Sequence, residues 1–236
     1  MKKLSLFILV GALLGGCAAV PVSEDRTASE PAKNEISTSL FASDKAVMSD
    51  EAVKKALDGV VRFPSRARVA LLDVSPERQS YRYYGSNYWR SEAYMNQQQR
   101  YFDALSLPVT GIDEVKAAVP MPSFTVNKQM TLSQIREAAV RMQIDALVIY
   151  ALRSDIFEKS RLFSATEVKG FATCEVAILD TRTGIMPYTD VMTVKEQVEH
   201  QRSQEDLSET RMRAELQASE KCLGMLGEAM SEFIDG

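Results

Sequence analysis

Asp145-Ala146-Leu147-Val148-Ile149-Tyr150-Ala151-Leu152 is the best candidate in the chain for a strand buried inside a core. It is a short apolar run, rich in branched and aromatic side chains, of the length a strand takes. Just upstream, Thr131 caps a helix on which Leu132, Ile135, Ala139 and Met142 recur at helical spacing. Downstream, residues 165–180 alternate as a long strand that ends in Val176-Ala177-Ile178-Leu179-Asp180. Thr181-Arg182-Thr183-Gly184 is a hairpin turn signal, and Tyr188 to Val198 is its return strand. Ser203 then opens a long terminal helix to about Ile234, with Leu216, Leu223, Leu226, Met230 and Phe233 along one face. Nearer the start, a helix begins at Ser49-Asp50-Glu51 and stops at Gly59. Phe63-Pro64 breaks the chain, and Arg68 to Val74 is a short buried strand. Glu92 to Leu107 is a helix ended by Pro108, and Val109 to Val119 holds a short strand. Strands separated by helices, followed by an antiparallel pair, predict one α/β domain. Its mixed sheet carries a long C-terminal hairpin, helices cover it, and a long helix ends it.

The amino terminus supplies an address. Lys2 and Lys3 precede an apolar run from Leu4 to Leu14, too short to span a bilayer, and then Leu14-Gly15-Gly16-Cys17. That ending resembles the lipobox of bacterial lipoproteins. The resemblance implies a signal peptide over residues 1–16, diacylation of the Cys17 thiol, cleavage before it, and acylation of the new amino group. Each buried acyl methylene contributes about 0.8 kcal/mol, so several chains on one cysteine make a lasting membrane anchor. Ala18, where inner-membrane lipoproteins tend to carry Asp, favours the outer membrane with the body on the periplasmic side. Residues 17–45, rich in Ser, Thr, Glu, Ala and Pro, read as anchor and flexible tether, and residues 46–236 as the periplasmic domain.

Loss of residues 1–16 would leave 220 residues with 26 basic and 32 acidic side chains, a net of −6. That sign, with no long basic run, points away from nucleic acid. A hydrophobic content of 45% suffices for one ordinary core.

The strand pair Asp145 to Tyr150 and Val176 to Gly184, with the Phe63-Pro64 entry to Ala70, resembles a group of periplasmic lipoprotein domains. The group takes in the curli-secretion channel lipoprotein, the N-terminal domain of TolB, lipoprotein activators of penicillin-binding proteins, and the rhombotarget lipoproteins. With the anchor, this resemblance implies a non-catalytic envelope lipoprotein that binds another envelope component, protein or peptidoglycan, and supports its assembly or activity. One alternative is a self-assembling, secretion-accessory lipoprotein built into a homo-oligomer through its hairpin and terminal helix. Another is a carboxylate-dependent cell-wall hydrolase.

Catalytic constellations are sparse. The one histidine, His200, sits in the polar stretch Glu199 to Ser203 and reads as an exposed linker residue, without the buried acid a catalytic triad needs. Neither metal-ligand spacing nor a phosphate or dinucleotide glycine pattern occurs, so no metal and no cofactor beyond the lipid is expected. Asp113-Glu114 and Glu205-Asp206 are the acidic pairs a glycosidase would need, and helix starts explain them equally well. Cys174 and Cys222 remain after Cys17, either as one bridge or as two buried thiols. The unusual feature is aromatic: six of the eight tyrosines and the single Trp89 fall between Tyr81 and Tyr101, with Arg78, Arg82 and Arg90 close by. Tyr, Trp and Arg are enriched where proteins bind one another. Tyr83, Tyr84, Tyr88, Trp89 and Arg90 are therefore the candidate partner contacts. The competing reading is a flap whose tyrosines pack on their own sheet.

Overall fold

The structure is a computed structural model and describes residues 49–59, 63–76, 92–122, 125–126, 130–159, 166–200 and 206–236. Its elements are α1 (Asp50–Asp58), β1 (Ala67–Asp73), α2 (Glu92–Thr110), β2 (Val115–Pro120) and α3 (Leu132–Arg141). β3 (Ala146–Lys159), β4 (Thr166–Asp180), β5 (Tyr188–His200) and α4 (Leu207–Asp235) follow. The five strands form one sheet in the order β2-β1-β3-β4-β5. β1 runs parallel to both β2 and β3, and the β3–β4 and β4–β5 pairs are antiparallel. This is the mixed sheet, with its long hairpin and terminal helix, that the residue pattern predicts.

Two apolar layers flank the sheet. On one face Val69, Leu71, Val148, Leu152, Cys174 and Ile178 meet Tyr101, Leu105 and Val109 of α2 and Leu223, Leu226 and Met230 of α4. On the other, Ala70, Leu72, Leu147, Ile149 and Leu179 meet Leu132, Ile135 and Ala139 of α3. The period of two along each strand sends successive side chains to opposite layers. α3 begins with a reciprocal cap: Thr131 Oγ1 accepts from the Gln134 backbone N–H, and the Gln134 side chain accepts from the Thr131 N–H.

Four sequence expectations change. β3 does not stop at Leu152 but runs to Lys159. Its burial changes from continuous to alternating at Arg153, because α3 no longer covers the second face there. Pro108 does not end α2, which continues to Thr110. The ring removes one N–H from the ladder, but only two residues follow it, and the buried Val109 still gains its place in the core. The carbonyls of Ala104 and Leu105 there lie against Gly227 of α4, within 3.1 Å of where a Cβ would stand. Asp206, not Ser203, occupies the N-cap position of α4, and Ser203 lies outside the described residues. Phe233 lies on the rim of the buried α4 face rather than in it, with its ring 4.9 Å from that of Tyr188.

Candidate functional site

The order of strands creates a switch point at the carboxyl end of β1. From β1 the chain crosses through α2, on one face, to β2. From β2 it crosses back through α3, on the other face, to β3. Where crossovers diverge in this way, a crevice opens beyond the strand ends, and ligands of α/β proteins gather there.

Local chemistry fixes the backbone at that point. Asp73 ends β1, and its Oδ1 accepts from the Ser75 N–H at 2.8 Å and from the Ser75 hydroxyl. Ser75 Oγ in turn accepts from the Leu152 N–H at 2.9 Å, and the Val74 N–H donates to the Tyr150 carbonyl at 2.9 Å. Residues 73–75 are thereby latched to β3. Beside the latch lies a cleft of about 550 Å³ lined by Val74, Ile149, Ala151, Ala177, Thr189 and Val191. Glu175 stands at its side, paired with Arg153 at 2.5 Å. An apolar floor flanked by a neutralised ion pair suits an apolar side chain. On the α4 side of β5 the phenol of Tyr188 is pushed up to about 12, first by burial and then by its hydrogen bond to Asp190 and the charges of Asp190 and Glu232.

The opposite end of the sheet is held by a second network. Arg136 donates to the carbonyls of Thr181 (2.7 Å) and Arg182 (2.6 Å), clasping the turn in which Gly184 takes φ +77°. Arg182 pairs with Asp145 at 2.5 Å, and Asp145 Oδ2 accepts from the Arg68 N–H. A second cavity of about 430 Å³ lies along α3, between Met130, Gln134, Ala138 and Met142.

The sequence candidates fall as follows. Cys174 and Cys222 form a disulfide, with Cα atoms 6.2 Å apart, joining the middle of β4 to α4 inside the core. His200 is not an exposed linker residue: it is 8% exposed, and its Nδ1 lies 2.9 Å from Thr210 Oγ1. β5 keeps its alternation two residues past Val198, and that turns position 200 toward α4. Tyr101 is core, and its hydroxyl accepts from the Gln97 amide. Asp206 serves the start of α4, where the Ser208 hydroxyl and then the Leu207 N–H hold its carboxyl below the usual carboxylate range. Asp113 and Glu114 precede β2 and line neither cleft. Among the described residues no three His, Cys, Asp or Glu side chains converge as a metal cage. Cys17 and the contact candidates Tyr83, Tyr84, Tyr88, Trp89 and Arg90 lie outside the described residues. In sequence the aromatic segment joins Pro76, just past the latch, to Glu92 at the start of α2. The Asp73–Ser75–Leu152 latch and the Arg136 clasp went unnoticed in the sequence, since the partners they bring together are 77 and 45 residues apart.

No described helix is long and apolar enough to cross a membrane. No protein-family model matches the chain, and no curated protein does. Solved structures to which it is similar include a minor lipoprotein from Acinetobacter baumannii. That match has 9% identity, covers 73% of this chain and 92% of that one, and has a TM-score of 0.34. Lipoprotein GNA1162 from Neisseria meningitidis matches at 13% identity over 71% and 97% of the two chains, with a TM-score of 0.32. A PelC dodecamer from Paraburkholderia phytofirmans matches at 12% identity over 71% and 91%, with a TM-score of 0.31.

Proposed function

We propose that this chain is a lipid-anchored envelope protein of the outer membrane's periplasmic face. In this reading its α/β domain binds another envelope component without catalysis and supports that component's assembly or activity. The anchor rests on Leu14-Gly15-Gly16-Cys17. The binding reading is carried by one juxtaposition: the Tyr-, Trp- and Arg-rich segment follows in sequence the latched carboxyl end of β1, and that end borders an apolar cleft. Tyr and Trp supply large contact area with few rotatable bonds, so they lose little conformational entropy on docking. Self-assembly through the terminal helix is the weaker reading, because Leu223, Leu226 and Met230 are spent on the protein's own sheet. A photo-reactive residue in place of Tyr88, activated in living cells, tests the proposal. A discrete adduct with a foreign envelope protein or glycan is expected. Adducts with further copies of this chain alone, or none, would contradict it.

A further inference from the structure

The bridge between Cys174 and Cys222 is closed off from solvent in the folded chain, since both residues are 0% exposed. Cys174 sits in the middle of β4, opposite Leu152 on β3 and Met192 on β5. Cys222 reaches it from α4, and its Sγ lies 3.5 Å from the Met192 carbonyl oxygen. α4 is held down over the bridge along its length. Arg211 pairs with Glu158 at 2.5 Å, Lys221 with Glu196 at 2.6 Å, and Arg100 of α2 with Glu220. At Gly170 the helix backbone comes so close that a Cβ would stand 2.1 Å from the Ala214 carbonyl oxygen. Helix and strand touch there without room for a side chain.

Thiol–disulfide exchange needs a thiolate to attack a disulfide sulfur, through a mixed disulfide of the two molecules. An oxidant of protein size cannot approach a sulfur that lies under α4. Burial among apolar side chains and beside a carbonyl oxygen also disfavours the thiolate that must attack. The bond is therefore made while α4 is off the sheet. In that open state the two sulfurs are not equivalent. Cys174 stays in a strand with a neighbour on each side, on the face that α2 also covers. Cys222 rides on the freed helix and can be approached from any direction.

From this asymmetry we infer that Cys222 is the entry point for a dithiol oxidase, an enzyme with a reactive disulfide, which acts before α4 docks. The Cys222 thiolate attacks the oxidase disulfide, an S–S bond forms between the two proteins, and one oxidase sulfur leaves as a thiolate. The Cys174 thiolate then attacks Cys222 Sγ as α4 closes, and the oxidase departs as a dithiol. Two thiol protons and two electrons pass from this chain to the oxidase disulfide, which is reduced. The inference goes beyond the binding reading and needs only the export that the amino terminus implies. Full chains carrying Cys174→Ala or Cys222→Ala, acid-quenched and alkylated in cells that export them, test the order of attack. Cys174→Ala should accumulate an oxidase adduct on Cys222, at least about tenfold above any adduct that Cys222→Ala carries on Cys174. Equal adducts, the reverse ratio, or none from either variant would overturn the inference. The folded wild-type chain gives a readout that does not depend on either variant folding. Dithiothreitol should reduce its bridge at least about a hundredfold more slowly than in the urea-unfolded chain. Gly170→Ala, which loosens α4, should speed that reduction at least about tenfold. A bridge reduced equally fast folded and unfolded, or one indifferent to Gly170→Ala, would overturn the requirement that α4 opens first.

Discussion

Replacing Cys174 and Cys222 together by alanine should lower the unfolding free energy by about 4 kcal/mol, the loop-closure value for a 48-residue separation. The bridge ties β4 to the helix that ends the fold, so without it the unfolded chain regains the freedom of everything between them. In a domain of this size the loss corresponds to a fall in melting temperature on the order of 10 °C. Urea titration followed by circular dichroism should show a lower midpoint and also a steeper dependence on denaturant, because the uncrosslinked chain exposes more surface when unfolded. An unchanged midpoint would mean that the packing of α4 alone sets its stability.

The second large effect is expected at Gly170. A Cβ on this residue of β4 would stand 2.1 Å from the carbonyl oxygen of Ala214 and 2.5 Å from its carbon. The obstacle is helix backbone, not a side chain that can swing aside. α4 would have to lift from the sheet by about 1 Å to restore an ordinary C···O separation of roughly 3.3 Å. Gly170→Ala should therefore cost about 3 kcal/mol or more, at the upper end of overpacking penalties. Gly224→Ala is the matched control in α4, where nothing lies within 4 Å of the added methyl. It should stabilise the protein by about 0.5–1 kcal/mol through helix propensity. Thermal melts of the two variants should move in opposite directions; a loss at both positions would place the constraint elsewhere than in the crossing at Ala214.

The fold was legible where local and global preferences agree. Asp145 to Leu152 is apolar on both faces because α3 covers one side of it and α2 and α4 the other. The Thr131 cap and the Thr181–Gly184 turn are local signals, and the structure uses both. Beyond Leu152 the strand was hidden, since Arg153-Ser154-Asp155 interrupts the apolar run while the backbone still pairs with Thr173, Ala172 and Phe171. His200 was misread for a related reason: its polar neighbours mask a strand alternation that Val194 and Thr210 make visible only in three dimensions. Of the site, the aromatic segment stands out by composition. The latch just before it in the chain does not, because Asp73-Val74-Ser75 gains meaning only when Ser75 reaches Leu152.

Attachment through Cys17, as proposed, is decided by the mass of the mature chain purified from the membrane fraction. The mature chain should begin at Cys17 and carry acyl chains there, and Cys17→Ser should release the domain from the membrane fraction. A mature chain that keeps residues 1–16, or an unmodified Cys17, would contradict it.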